Sequence, residues 1–324
     1  MTQHNFEEAK DALLHSLLSR SYDVELQEDE TFIEEIEADP KLSLIQEEDR
    51  DILMHRDAHF SGSFDVMLDN YREGRRGAVL PIESRRIEFL RLQEAKLGKN
   101  LAPYLLTGAD AEKVAFAKKM YYDLMALAEG TSKDTIAQAI SKLILSEEDE
   151  IENALDKVLL FGNKAIPALL ELLQSELFLD PLFPGYGKAP FLAALALGKL
   201  RAMESISSLF QLLKHESFEA EEAALKALVA IGEKAKEFLL KIVQKKPFTE
   251  ENERAAYALL QFESEEVALQ FFQILKELIQ SQSKQLSSPF AHYLTLGLKA
   301  LPDAQKKELQ ALAKNSKTPK DLLT

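Results

Sequence analysis

The chain has no cysteine and no tryptophan. Without a thiol there is no disulfide framework, no Cys-ligated zinc, no CxxC redox motif and no thiol nucleophile. Glycine and proline are sparse, 12 and 11 in 324 residues, and alternating apolar–polar runs between turn residues are nearly missing. That combination argues against a sheet protein. No apolar run approaches the ~18 residues that cross a bilayer, and the first eighteen residues lack the basic flank and apolar core of a signal peptide. A cytoplasmic chain with no membrane partner is therefore expected. A basic balance is missing too, since the formal net charge is −15. Proteins that neutralise phosphate backbones carry the opposite sign, so no nucleic-acid partner is expected. No Walker loop, dinucleotide fingerprint or G-x-S-x-G turn occurs, so no catalytic residue and no cofactor are assigned.

What is present is helix-forming and unevenly charged. Between Asp23 and Asp51 thirteen carboxylates stand against Lys41 and Arg50, a local balance of −11. Residues 23–39 read either as an acidic docking segment for a basic partner or as a solvated helix face. Helices are expected near Asn5–Leu18, Leu44–Phe60, Phe64–Arg72, Glu83–Leu97, Asp110–Ala128 and Thr135–Leu145. Ser43 and Gln46 form the S-x-x-Q spacing of a capping box for the second of these.

The chain is organised around Pro190–His215, PFLAALALGKLRAMESISSLFQLLKH. Its first half is apolar on nearly every face. Its second half keeps Ile206, Leu209, Phe210 and Leu213 on one stripe. Such a hairpin cannot bury its apolar surface alone and needs similar hairpins beside it. Four more follow the same texture: Ile151–Gln174, Ala220–Lys245, Asn252–Leu278 and Pro289–Lys314. The spacing of roughly 30 to 40 residues is that of an α-solenoid. The expected organisation is a helical region at 1–148, a solenoid of five hairpins at 149–316 and a short basic tail at 317–324.

Ala193–Leu213, AALALGKLRAMESISSLFQLL, resembles a HEAT-like repeat of the short kind found in phycobilin-lyase-type proteins. An Ala-rich first helix with glycine near its end precedes a second helix closed by two leucines. Val158–Leu173 and Ala224–Val243 carry the same pattern, whereas Gln261–Phe262 stands where the glycine is expected. The resemblance covers about half of the chain and implies an all-α, α-α superhelix. By analogy alone it also raises a lyase-like chaperone for a cofactor. The His-Glu pairs of deoxyhypusine hydroxylase, another HEAT-like family, are matched only once, at His215-Glu216.

Stacked hairpins of this type usually present their second helices on the concave face. The polar sides of those helices then supply Glu171, Gln174, Ser208, Gln211, Lys241, Gln244, Gln270, Gln273 and Glu277. This mixed, largely uncharged surface suits a protein or peptide partner, with the oligomeric state left open. The segment Ser175–Ala189 is long for a repeat connection. Its Phe178, Phe183 and Tyr186 make it either a docking loop or a flap that folds back over the stack. His55 and His59, at i, i+4, can share one helical face and hold a metal. The alternative is a half-buried stripe. The leading reading is a non-enzymatic interaction scaffold, with a metal-binding protein or metal-dependent enzyme as the alternative.

Overall fold

The computed structural model describes residues 3–21, 46, 48–78, 82–106, 108–129, 135–215 and 217–314. The acidic segment 23–39, Ser43 of the expected capping box and the tail 317–324 lie outside these residues. Among the described residues there are seventeen α-helices and no strand. The backbone divides into two compact units, 1–196 and 197–324.

In the first unit, α1 (Gln3–Leu18), α2 (Glu48–His59), α3 (Phe64–Arg72) and α4 (Ser84–Leu97) precede a single turn, α5 (Ala102–Leu105). Then follow α6 (Gly108–Ala128), α7 (Ile136–Leu145), α8 (Ile151–Leu159) and α9 (Ile166–Gln174). Asn5 lies inside α1 and is not its N-cap. The second helix starts later than its sequence suggests, because the Asp49 carboxylate accepts the Gln46 N–H at 2.8 Å. Helix α7 starts as read, on a reciprocal capping box between Thr135 and Gln138. Ser146 closes this helix, donating its hydroxyl to Leu143 O at 2.8 Å, and does not cap the next one.

One core of this unit joins Leu53, Phe64, Met67, Ile87 and Leu90 of α2, α3 and α4. Arg56 is fully buried beside it, yet all its directions are used. It donates to Asp57 (2.7 Å), Glu94 (2.6 Å) and Asn100 (2.9 Å). A buried guanidinium is tolerated only when its donors are satisfied in this way.

Helix α10 (Ala189–Lys199) runs across the division between the units. The second unit continues with α11 (Ile206–Leu212), α12 (Phe218–Ile231), α13 (Glu233–Val243), α14 (Glu250–Leu259), α15 (Glu265–Gln280), α16 (Pro289–Leu296) and α17 (Asp303–Lys314). Over the five stretches read as hairpins, the helices are α8 and α9, α10 and α11, α12 and α13, α14 and α15, and α16 and α17. In the second unit α11 packs on α12, α13 on α14, α14 on α16, and α15 on α16 and α17. One apolar cluster runs through these layers, from Phe210 through Leu239, Phe271 and Leu275 to Phe290 and Leu309. This is the stacking of an α-solenoid, in which each hairpin covers the apolar face of its neighbour.

The glycines of the repeat pattern serve two different ends. Gly162 (φ 55°) and Gly232 (φ 82°) supply left-handed turn residues. Gly198 instead lets two helices approach, since a Cβ there would lie 2.6 Å from Ala227 Cα. In its hairpin the left-handed position is taken by Arg201 (φ 52°). In the fourth hairpin, where the sequence lacks the glycine, Glu263 adopts φ 35°.

Candidate functional site

The sequence offered three places for function: a histidine pair, an aromatic loop and the polar sides of the second helices. The first two meet inside the first unit. Helix α2 places His55 and His59 one turn apart, with ring centroids 4.7 Å from each other. A carbonyl oxygen can only accept, so each Nε2 carries the proton. His55 donates to Gly77 O at 2.9 Å and His59 to Pro181 O at 3.0 Å. Burial lowers the pKa of both; with the neighbouring His55 ring, it takes that of His59 down to about 3. A pair held neutral in this way changes no charge near pH 7. Among the described residues no group of three or more His, Asp or Glu is placed to hold a metal ion. As placed, the two rings use their Nε2 donors on the backbone carbonyls of Gly77 and Pro181.

Pro181 belongs to the Ser175–Ala189 loop, and the whole loop closes onto its own unit. Phe178 and Phe183 are fully buried, with Phe183 against Phe116 at a centroid distance of 5.8 Å. Tyr186 stacks 4.7 Å from His59 and donates its hydroxyl to Glu147 at 3.4 Å. Lys113 pairs with Asp180 at 2.9 Å, and the buried Arg76 donates to the carbonyls of Ser146, Ile144 and Gly185. Gly187 (φ 75°) fits because a Cβ would meet Leu179 O at 2.8 Å. As docking residues, Phe178 and Phe183 are thus corrected: a side chain with no exposed surface offers a partner nothing to touch. Of the two readings of this loop, the flap is the one its burial matches. Six apolar side chains on one loop are better satisfied by water exclusion than by waiting exposed for a partner.

The third place holds a cleft. In the second unit the end of α13 and the turn after it face α15 across a cleft of about 390 Å³. Gln244, Lys246 and Phe248 line one side, and Gln270, Gln273, Lys276, Glu277 and Gln280 the other, with Ile274 beneath. Four of the expected partner residues, Gln244, Gln270, Gln273 and Glu277, come together here. The periodicity of α15 explains its side of the cleft. Val267, Phe271, Leu275 and Leu278 face the core, which leaves positions 270, 273, 277 and 280 as a polar stripe about 15 Å long. Ser264 caps the start of this helix, accepting the Val267 N–H at 3.2 Å.

The opposite wall is built by Asn252, a residue the sequence reading passed over. Its side chain is buried, and its amide nitrogen donates to Ile242 O (2.8 Å) and Lys245 O (2.7 Å). Its amide oxygen accepts the Thr249 N–H at 2.7 Å. One side chain thereby closes α13, opens α14 and holds the intervening turn that carries Lys246 and Phe248. Lys246 pairs with Glu277 across the cleft, and Lys276 pairs with Glu308 at 2.5 Å. Phe248 rests on Phe290 at 5.2 Å. The signal that could have found this wall is the T-x-x-N spacing of Thr249 and Asn252 directly after Lys246-Pro-Phe.

The remaining expected residues stand apart from the cleft. Lys241 and Gln211 are exposed and Ser208 is half-buried. In the first unit Gln174 is exposed, while Glu171 accepts a hydrogen bond from His15 of α1 at 2.8 Å. No helix among the described residues is long and apolar enough to cross a membrane. A comparison with curated proteins finds no match. Residues 188–261, which contain α10 through α14, match the family model of HEAT repeats, so over this stretch the chain carries HEAT-like repeats.

Proposed function

We propose that the chain is a non-enzymatic interaction module that takes an extended segment of another protein into the cleft between α13 and α15. The observation behind this reading is the convergence of four glutamines from two neighbouring hairpins, with Phe248 and Ile274 beside them. A primary amide offers both donors and an acceptor without charge. It therefore matches the N–H and C=O of a peptide backbone whatever side chains that peptide bears. Small-molecule pockets are mostly apolar with a few placed polar groups, the reverse of this lining. HEAT repeats generally serve protein–protein interaction, which agrees with the proposal.

The test is capture from lysate of the native cell with three baits: wild type, Gln270→Arg/Gln273→Arg in the cleft, and Glu152→Arg on exposed α8. We expect a protein recovered by wild type and by the α8 variant and lost by the cleft variant. Equal recovery by all three would move the binding surface off this cleft.

A further inference from the structure

The match to a peptide backbone leaves the occupant's side chains open, and the lining of the cleft bears on them. Three charged residues line it, Lys246, Lys276 and Glu277. All three are already engaged. Lys246, in the turn after α13, pairs with Glu277 of α15 across the cleft, and Lys276 pairs with Glu308 of α17 at 2.5 Å. Each ammonium also lies near an aromatic ring, Lys246 at 5.9 Å from the Phe248 centroid and Lys276 at 5.8 Å from that of Phe272. The amides are in the opposite condition. The side chains of Gln244, Gln270, Gln273 and Gln280 form no hydrogen bond with another described residue. Each keeps two N–H donors and an acceptor oxygen for a ligand. The lining has its hydrogen-bonding capacity free and its charge in use.

Resting on the cleft reading above, we propose that the occupant is an uncharged extended segment rich in glutamine and asparagine. Two primary amides pair reciprocally, each donating one N–H and accepting another. Amide side chains of the segment therefore meet those of the cleft with no charge on either side. A carboxylate or ammonium brought in instead loses hydration and meets only counter-charges that are already paired. To use one, it must displace Lys246 from Glu277 or Lys276 from Glu308. The ion pairs thus admit neutral polar side chains and disfavour charge of either sign. Lys246 and Glu277 are the specificity-determining pair, because each stands on one wall and neutralises the other.

Random dodecapeptides displayed on phage, selected on the full chain, test this. Wild type is expected to enrich peptides that carry Gln and Asn and lack Asp, Glu, Lys and Arg. The same selection on Glu277→Gln, which frees Lys246, should admit acidic peptides, and on Lys246→Gln, which frees Glu277, basic ones. Each gain over wild type should reach up to about fivefold in affinity, the range of one exposed ion pair. Both positions are exposed, and unchanged circular dichroism would show that the variants are folded. Charged peptides that are enriched by wild type and lost on Gln270→Arg/Gln273→Arg would overturn the neutral preference and leave the cleft reading standing. Selection unchanged by either charge variant would also overturn it, since the ion pair would then not be what excludes charge. Peptides indifferent to Gln270→Arg/Gln273→Arg, or no enrichment, would overturn both readings. Maltohexaose, a neutral oligosaccharide, bound more tightly than the best peptide would assign the amides to hydroxyl groups and overturn the proposal.

Discussion

At the scale of the residue, Asn252 shows how much one amide can organise. Four backbone groups from two helix ends converge on its side chain: the Thr249 N–H and the carbonyls of Ile242, Val243 and Lys245. Asn252→Leu keeps the branched shape and removes every hydrogen bond, leaving three carbonyls and an N–H without this partner. We expect it to lower stability by about 2–4 kcal/mol, read from urea unfolding. A loss below ~1 kcal/mol would mean that the turn rearranges freely. The histidine pair makes a second residue-scale prediction. Both side chains are neutral in the native state, held so by burial, while in the unfolded chain they protonate below about pH 6.5. The unfolded state then binds more protons, so stability rises with pH across this window. The full contribution is present above about pH 6.5 and is lost progressively as pH falls toward 3. Urea midpoints at pH 7 and pH 4.5 should differ less in a His59→Gln variant than in wild type. An equal difference would assign the acid sensitivity to the carboxylates alone.

At the scale of the element, the hairpins were legible because helical periodicity is a local property. Ile206, Leu209, Phe210 and Leu213 fall on one stripe whatever lies opposite them. The role of a glycine was not legible in the same way. Gly198 and Gly232 occupy equivalent places in the repeat pattern, yet one is required by packing and the other by a left-handed turn. Replacing Gly198 by Ala forces a methyl into Ala227 backbone, and we expect a loss of about 1–3 kcal/mol. Gly108→Ala in α6, where nothing lies within 4 Å of the added carbon, should be neutral or slightly stabilising, with both variants read from urea unfolding. If both variants behave alike, the close approach of α10 to α12 is not what Gly198 serves. The aromatic loop follows a similar logic. Its composition announces apolar surface to be covered, but not by what. Only the folded chain shows Phe116 and His59 beneath Phe183 and Tyr186.

At the scale of the molecule, the sign of the electrostatics is the open contest. The formal balance is −15, and exposed pairs such as Lys246–Glu277 and Lys276–Glu308 oppose that self-repulsion locally. The Debye length is about 10 Å at 0.1 M salt, so added salt screens the distant excess before the paired charges. Raising salt from about 0.1 M to about 0.5 M should therefore raise the urea midpoint. A midpoint that falls would show that the local pairs outweigh the global charge.

The sequence by itself determined the helices, their pairing and the repeat, because each depends on periodicity and turn chemistry within some forty residues. It also determined which side of α15 is polar, and hence three of the residues that line the cleft, Gln270, Gln273 and Glu277. Only the tertiary structure decided that Gln244 and Gln270 face each other, that Asn252 holds the wall between them, and that Phe178 and Phe183 are core. Those outcomes depend on which surfaces meet, and contact between residues far apart in the chain is set by the free energy of packing all of them at once.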